Sequence, residues 1–348
     1  MADQPTAQQT WFAHRKWGVF FHYLDSLQNG SGNFHNTQGY RTDWNDCVNA
    51  MDVALLARQL HEAGAGYLMF TLQQGSRYLC APNALFDAIT GYAPGEACST
   101  RDLIADLADA LAHWDIPLFL YFTGDGPRTD PRAMAAFYGR AADLAPGRDQ
   151  VHMEFVRKWS AVLREYALRY GDRIAGWWVD GLYDSLGYTP ELIAPFRRAA
   201  REGNPNALFS ANYYGCLRNG HEENVPGVGT VLLGDFYHTI APPTPLCDYT
   251  AGEVVTLDVF PTRQLVDQAQ AHILSFLGIP RHPIEVYGGW GARGCKYSTE
   301  YLMQYVRQVN ACGGVVTLEA CLYRDGRMDP DQLRVLKMLG SLRRGAGG

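Results

Sequence analysis

This sequence of 348 residues lacks the signatures of several large functional classes. No GxGxxG follows its first apolar run and no P-loop occurs, which argues against a dinucleotide-binding open sheet and against a nucleoside triphosphatase. The ten histidines show no HxH or HExxH spacing and no Cys/His pairing of the zinc-site kind. The eight cysteines lie far apart without a CxxC pair, which is typical of reduced core thiols. We therefore expect neither a metal nor a cofactor.

Charge and hydropathy exclude further partners. Lys and Arg number 30 against 36 Asp and Glu, a net charge of -6, and the cations are scattered. No basic stripe is available to neutralise a nucleic-acid backbone. The chain has no run of about 18 apolar residues, and its start, MADQPTAQQTWFAHRKW, contains no apolar signal segment. We predict a soluble cytoplasmic protein with no nucleic-acid or membrane partner.

What the sequence does have is an alternation of short apolar runs with longer amphipathic segments. The apolar runs, interpreted as strands, are 17–21, 67–72, 117–123, 174–180, 207–212, 231–236, 284–289 and 314–320. The segments with helical periodicity are 53–64, 100–114, 153–171, 190–202, 262–278, 299–314 and 329–342, with Ser99 or Thr100 as the cap of the second. This pattern predicts an α/β fold, a (β/α)8 TIM-like barrel that forms a single domain over residues 1–348. A doubly wound open sheet is the alternative.

The residues that follow the predicted strands are rich in carboxylates, amides and aromatic rings. In a parallel barrel the active site lies at the C-terminal ends of the strands, so these residues would surround one cavity. Polar groups bond sugar hydroxyls and flat rings stack on the apolar face of a sugar, so the set points to a carbohydrate pocket. The strand-end residues are His22, Tyr23, Gln73, Gln74, Asp125, Asp180, Asn212, Tyr213, Tyr214, Asp235, Tyr237, His238, Glu285, Tyr287, Trp290 and Glu319.

Asp180 is unusual because it closes the apolar run IAGWWVD and is followed by Gly181. An unpaired charge away from water is costly, or it is neutralised by a shift of its pKa. One interpretation is that Asp180 is a nucleophile or electrostatic stabiliser at the barrel mouth. The other is a buried carboxylate satisfied by backbone N–H groups and an arginine, and the residues alone leave both open.

Five segments, in order, resemble the catalytic domain of glycoside hydrolase family 29, the α-L-fucosidases. WFAHRKWGVFFHY is similar to the opening strand of that family, VALLARQLHEAGAGYLMFT to its second βα unit and STRDLIADLADALAHWDIPLFLYFT to its third. REYALRYGDRIAGWWVDG resembles the stretch that carries the catalytic aspartate, and NACGGVVTLEACLYRDGRMDPDQLRVLKMLGSL resembles the closing pattern. The resemblance covers nearly all of the chain and implies a retaining glycosidase site on a barrel.

The resemblance also implies roles for individual residues. Asp180 would be the nucleophile that forms a covalent glycosyl intermediate. The acid/base would be Asp235, with Glu285 as the second choice and Asp125, Glu319 or no residue as the remaining options. The substrate-binding residues would be His22, Asp43, Trp44, Gln73, Gln74, Tyr121, Asp125, Trp178, Tyr213, Arg218, Tyr237, His238 and Trp290.

Two of the departures from the family bear on the substrate and on the pocket wall. Gln73, Gln74 and Gly75 stand where fucosidases have a histidine pair before Asp-Gly, so we expect a terminal α-linked deoxy or related sugar that need not be fucose. The chain also ends where most members add a C-terminal β-sandwich, so loops or another subunit of a homo-oligomer would complete the pocket. The alternatives are a carbohydrate-binding protein without hydrolytic activity and a metal-dependent hydrolase or isomerase.

Overall fold

The computed structural model describes residues 4–29, 40–139, 151–213, 221–225, 229–233, 245–258, 260–280 and 289–344. Its strands are β1 Trp17–Phe21, β2 Leu68–Thr71, β3 Leu118–Thr123, β4 Ile174–Asp180, β5 Leu208–Ala211, β6 His221–Val225, β7 Gly229–Leu233, β8 Leu265–Val266, β9 Ala269–Gln270, β10 His272–Phe276 and β11 Val315–Glu319. Seven of these form one sheet in the order β10-β11-β1-β2-β3-β4-β5, and each neighbouring pair is parallel. The fold is therefore an irregular (β/α)8 TIM-like barrel, which confirms the predicted fold class.

An extended stretch, residues 248–253, lies between the two edge strands of this sheet, β5 and β10. On one side the Asp248 N–H donates to Phe209 O at 2.8 Å. On the other side Glu253 forms a parallel bridge with Leu274. We call this stretch the closing segment, because it completes the ring at the position of an eighth strand.

The helices cover the outside of the sheet, and six of the seven segments with helical periodicity form helices. They are α1 Ala7–Arg15, α2 Asp25–Gln28, α3 Trp44–Ala50, α4 Val53–Ala63, α5 Ala84–Thr90, α6 Leu103–Ala112, α7 Pro131–Tyr138, α8 Met153–Tyr170, α9 Pro190–Glu202, α10 Thr299–Ala311, α11 Pro330–Leu339 and α12 Ser341–Arg344. The predicted cap of α6 at Ser99 or Thr100 is wrong. Asp102 is the cap and accepts from Ala105 N–H at 2.9 Å, whereas the Ser99 and Thr100 hydroxyls donate to Arg101 O and Asn45 Oδ1.

The helix predicted over 262–278 is also wrong. The structure has the hairpin β8–β9 there, followed by β10, which pairs in parallel with β11. Asp267 and Gln268, at φ of 46 and 70, form the tight turn of this hairpin. The run HILSF that follows is fully buried, and a short run buried on every side has no period that distinguishes a strand from a helix.

Six of the eight predicted strands are confirmed to within one residue at each end: those at 17–21, 67–72, 117–123, 174–180, 207–212 and 314–320. The predicted strand 231–236 overlaps β7, which pairs antiparallel with β6 and lies outside the seven-stranded sheet. The predicted strand 284–289 lies outside the described residues apart from its final glycine.

Aromatic side chains fill the N-terminal end of the barrel interior. Phe12 of α1 is fully buried, and its ring centroid lies 5.2 Å from those of Tyr67, Phe119 and Tyr249. Trp178 belongs to this interior cluster, whereas its neighbour Trp177 packs in the outer core, as strand alternation predicts. Helix α1 thus closes one end of the barrel, and the opposite end carries the cavity described next.

Candidate active site

A cavity of about 240 Å³ opens among the C-terminal ends of the strands. Its polar and aromatic wall includes His22, Gln74, Tyr121, Trp178, Asp180, Glu253 and Trp290, and Leu24, Leu27 and Leu274 contribute apolar surface. The rings of Tyr121 and Trp178 stack on each other with centroids 5.3 Å apart. The cavity therefore combines two carboxylates, an amide, flat rings and apolar side chains within the space of one small ligand.

Asp180 ends β4 and is held by neutral donors. Its Oδ2 accepts from the Tyr121 hydroxyl at 2.5 Å, and its Oδ1 accepts from the Tyr183 hydroxyl at 2.7 Å and from Asn212 Nδ2 at 2.9 Å. Within the described part of the chain, no arginine or lysine forms an ion pair with it. Asp180 is thus a fixed carboxylate in a cavity wall, because the period of two along β4 turns it to the same side as Trp178.

Glu253 is the second carboxylate, and sequence reasoning missed it. Asn212 Nδ2 donates to Glu253 Oε2 at 2.6 Å as well as to Asp180 Oδ1 at 2.9 Å. Because both oxygens contact the same nitrogen, they lie at most 5.5 Å apart, the two contact distances laid end to end. A nucleophile and an acid/base in a retaining glycosidase lie about 5 to 5.5 Å apart.

The closing segment positions Glu253. Gly252 O accepts from the Leu274 N–H at 2.8 Å, and the Val254 N–H donates to Leu274 O at 2.9 Å, so the backbone on both sides of Glu253 is tied to β10. Trp178 Nε1 also donates to Ala251 O at 3.1 Å. The stretch TAGEVV is too short and too polar to be predicted as a strand, and only Val254 and the residue after it suggest extended backbone.

His22 follows β1 and is nearly buried, with 8% exposure. Burial lowers its pKa to about 4, although the Asp180 charge acts in the opposite direction, so the ring is neutral at ordinary pH. Its Nδ1 lies 3.2 Å from Oε1 of Glu319, a fully buried carboxyl at the end of β11. Tyr121 and Trp290 both contact the ring edge-on, with centroids 5.6 Å away.

The two glutamines, Gln73 and Gln74, have different surroundings. Gln74 lines the cavity, whereas Gln73 is fully buried and donates to Ser76 O at 2.7 Å. Gly75, at φ of 62, follows the pair and forms the turn that leads to Ser76. Gln74 is thus the member of the pair that a ligand would contact.

Several predicted substrate-binding residues lie outside this wall. Asp43 caps α3 by accepting from Asp46 N–H at 2.9 Å, and Trp44 is buried with its Nε1 donating to Leu79 O. Tyr213 is half-buried and packs against the outer core. None of these three side chains is in the described cavity wall.

Asp125 lies next to the site without lining it. Its Oδ2 accepts from Arg128 at 2.6 Å and its Oδ1 from the Thr123 hydroxyl. Burial raises the pKa of Asp125 to about 6 against the opposing effect of Arg128. Its charge and that of Asp180 act on each other, which makes Asp125 a neighbour of the site.

Five predicted site residues lie outside the described residues, and their roles stay predictions: Asp235, Glu285, Arg218, Tyr237 and His238. Within the described ranges, no group of three or more His, Cys, Asp or Glu side chains could hold a metal ion. No helix in that part of the chain is long and apolar enough to cross a membrane.

The fold of this chain is similar to that of solved structures, although its sequence has no match. No protein-family model matches the sequence, and no curated protein sequence matches it. An endo-fucoidan hydrolase of glycoside hydrolase family 107 superposes with a TM-score of 0.66 at 15% identity, over 98% of this chain and 94% of that one.

Two α-L-fucosidases share the fold as well. The isoenzyme 1 from Paenibacillus thiaminolyticus has a TM-score of 0.61 at 18% identity, over 98% of this chain and 76% of that one. A family 29 enzyme from Bacteroides thetaiotaomicron, whose structure is a trapped covalent intermediate, has a TM-score of 0.59 at 14% identity, over 98% and 75%. At such identities the likeness shows a common fold.

Proposed function

We propose that this protein is a retaining exo-glycosidase of the α-L-fucosidase type, which hydrolyses a terminal α-linked deoxy or related sugar. The observation that carries the proposal is the pair of carboxylates, Asp180 and Glu253, whose oxygens contact one amide nitrogen in the wall of a small cavity. The resemblance to family 29 and the fold shared with fucosidases and fucoidan hydrolases support the same substrate class.

In the first step the Asp180 carboxylate attacks the anomeric carbon, the glycosidic C–O bond breaks, and the departing oxygen takes the proton of Glu253. In the second step Glu253, now a carboxylate, removes a proton from water. That water forms a bond to the anomeric carbon and releases Asp180. The Tyr121 and Tyr183 hydroxyls and the Asn212 amide hold the nucleophile in one orientation throughout.

Geometry supports Glu253 as the acid/base, whereas the two residues that the resemblance suggests lie outside the described residues. One Glu253 oxygen lies no more than 5.5 Å from an Asp180 oxygen, close enough for the two groups to act on one anomeric carbon, and Glu253 lines the same cavity. Asp235 and Glu285 stay predictions for an acid/base or a further contact to the sugar. The apolar surface of Leu24, Leu27 and Leu274 suits a sugar that carries a methyl group in place of a hydroxyl.

A panel of aryl glycosides, with the α-L-fucoside among several pentosides and 6-deoxyhexosides, tests the activity. Asp180→Asn should abolish turnover of any substrate found, and a 2-fluoro glycosyl fluoride should add one sugar mass to the peptide that contains Asp180. In Asp180→Ala, azide should restore turnover and give a glycosyl azide of inverted configuration.

Asp184→Asn is the matched control, because Asp184 starts the 3₁₀ turn after β4 and lies outside the described cavity wall. It should keep full activity. Undiminished hydrolysis by Asp180→Asn, or a label on another carboxylate, contradicts the assignment. Sugar binding by the wild type without turnover of any aryl glycoside would favour a carbohydrate-binding protein.

A further inference from the structure

Behind His22 lies a carboxyl group that the two-step mechanism does not use. Glu319 ends β11 and is fully buried. Its Oε1 accepts from the Gly291 N–H at 2.8 Å and lies 3.2 Å from His22 Nδ1. Its Oε2 is buried without a hydrogen-bond partner among the described residues.

The surroundings of Glu319 favour the neutral acid. In the described part of the chain no lysine or arginine lies within ion-pair distance of it, and the histidine beside it is itself neutral. Lys296 is the cation whose charge acts on Glu319, but its Nζ donates to Val255 O at 2.7 Å and lies over the Phe276 ring. Burial accordingly raises the pKa of the Glu319 carboxyl well above its ordinary value and outweighs the backbone N–H groups of Gly291 and His22, which act in the opposite direction.

A neutral carboxyl group must place its proton somewhere. A proton on Oε2 would point at no acceptor among the described residues, whereas a proton on Oε1 can be donated to His22 Nδ1. Oε1 can still accept from the Gly291 N–H through a lone pair. Nδ1 is then the unprotonated nitrogen of a neutral ring, so the ring hydrogen must be on Nε2.

We propose that Glu319 is a positioning residue whose neutral carboxyl group donates its proton to His22 Nδ1, and so fixes the ring in the Nε2–H tautomer. His22 lines the cavity, and within the described residues no partner of Nε2 is found, so this N–H is available to donate to a hydroxyl oxygen of a bound sugar. The ligand part of the proposal rests on the proposed function. The tautomer itself does not.

Glu319→Gln reverses the tautomer without changing the shape of the side chain. The amide oxygen must face the Gly291 N–H, because the opposite orientation would set two donors against each other. That oxygen then offers only lone pairs to Nδ1, so Nδ1 must carry the ring hydrogen. In the variant Nε2 becomes an acceptor.

Ring nitrogen-15 NMR of the full-length protein reads the tautomer directly, and His272 provides an internal reference. His272 is also fully buried with a pKa lowered to about 4 by burial. Its Nδ1 lies 2.9 Å from Thr250 O, a carbonyl that can only accept, and its Nε2 lies 2.6 Å from the Thr317 hydroxyl. His272 must therefore be the Nδ1–H tautomer.

The ring nitrogen-15 signals of His22 can be assigned because they are lost in His22→Ala. In the wild type they should show the tautomer opposite to that of His272. In Glu319→Gln the two histidines should give the same pattern. A wild-type His22 in the Nδ1–H form overturns the proposal whether or not the variant folds and whether or not the protein hydrolyses any glycoside.

Ligand binding tests the consequence of the tautomer. The affinity for L-fucose, or for the free sugar of the best aryl glycoside, should fall about tenfold in Glu319→Gln, the scale of one hydrogen bond. The same substitution in the His22→Ala background should change the affinity less than twofold. An equal loss in both backgrounds means that Glu319 acts on the fold rather than through His22, and overturns the proposal.

Discussion

At the scale of single residues, the site orients a carboxylate with neutral donors instead of a direct ion pair. Asp180 accepts from two phenol hydroxyls and one amide, and no lysine or arginine in the described residues pairs with it. Neutral donors fix the direction of the carboxylate without a cation in direct contact with it. In the proposed reaction, Asp180 would therefore form its bond to the anomeric carbon without first breaking an ion pair.

The role of Glu253 can be separated from that of Asp180 by the choice of leaving group. For Glu253→Gln we expect kcat/KM to fall by about 10² to 10⁴ with an alkyl aglycone, because a poor leaving group needs the proton. With an activated aryl aglycone the first step should be nearly normal and the second step slow. Steady-state and burst kinetics with both substrates measure the difference.

Azide should accelerate Glu253→Gln and yield a glycosyl azide of retained configuration, because azide needs no general base. Glu191→Gln is the control, since Glu191 lies on α9, away from the cavity. A small loss that is equal for both leaving groups would show that Glu253 is not the acid/base, and would return the role to Asp235 or Glu285.

At the scale of elements, the sequence predicts what has a regular period and misses what does not. The strands and helices on the first two thirds of the barrel carry long amphipathic repeats or fully buried runs between turn residues, and the structure confirms them. The stretch 262–278 contains apolar residues at helical spacing, but tertiary contacts with β11 make its second half a strand. Glu253 was missed for the same reason, because its extended backbone depends on β10 rather than on local preference.

Within the site, the alternation of side chains along a strand explains which residues could be predicted from the sequence. Once β1 and β4 are placed, His22 and Asp180 must face the interior at the same end. The burial of Trp44 could not be foreseen, because a tryptophan after a long loop suits a stacking platform and a core position equally well. Its Nε1 contact with Leu79 O depends on a loop from another βα unit.

The strand that carries Asp180 also depends on a glycine. In β4 a Cβ at Gly176 would overlap the Phe119 ring and lie 3.0 Å from Leu208 O. Gly176→Ala should therefore destabilise the protein by about 1 to 3 kcal/mol, the usual cost of overpacking. Because Asp180 lies four residues along the same strand, kcat should fall as well, which urea unfolding and kinetics at saturating substrate can measure.

Ser210→Ala is the control for this prediction. Ser210 faces Trp178 across the β4–β5 pair, and its buried hydroxyl has no hydrogen-bond partner among the described residues. Its removal should leave stability and kcat unchanged or slightly improved. Equal stability of Gly176→Ala and the wild type would mean that Phe119 can move at no cost.

At the scale of the whole molecule, the barrel has one closed end and one open end. Helix α1 places Phe12 among the interior rings at the N-terminal end of the strands. At the other end, β1, β4 and the closing segment bring His22, Asp180 and Glu253 to one cavity. Ring closure and assembly of the carboxylate pair are therefore one event, because the segment that completes the ring carries Glu253.

This coupling predicts that a change in the closing segment lowers stability and activity together. Gly252 has a φ of 63, and a Cβ there would overlap His272 O. Gly252→Ala should cost about 1 kcal/mol for the left-handed backbone and about 1 to 3 kcal/mol more for the overlap. It should also reduce kcat/KM as strongly as Glu253→Gln with an alkyl aglycone, because the backbone that holds Glu253 must shift.

Gly139→Ala separates the cost of the left-handed backbone from the cost of the steric overlap. Gly139 has a φ of 72, but among the described residues nothing lies within 4 Å of an added Cβ. The variant should lose only the backbone part of the stability and keep full activity. If Gly252→Ala instead matches Gly139→Ala in both urea unfolding and kcat/KM, the closing segment tolerates displacement from β10, and the position of Glu253 does not depend on those backbone contacts.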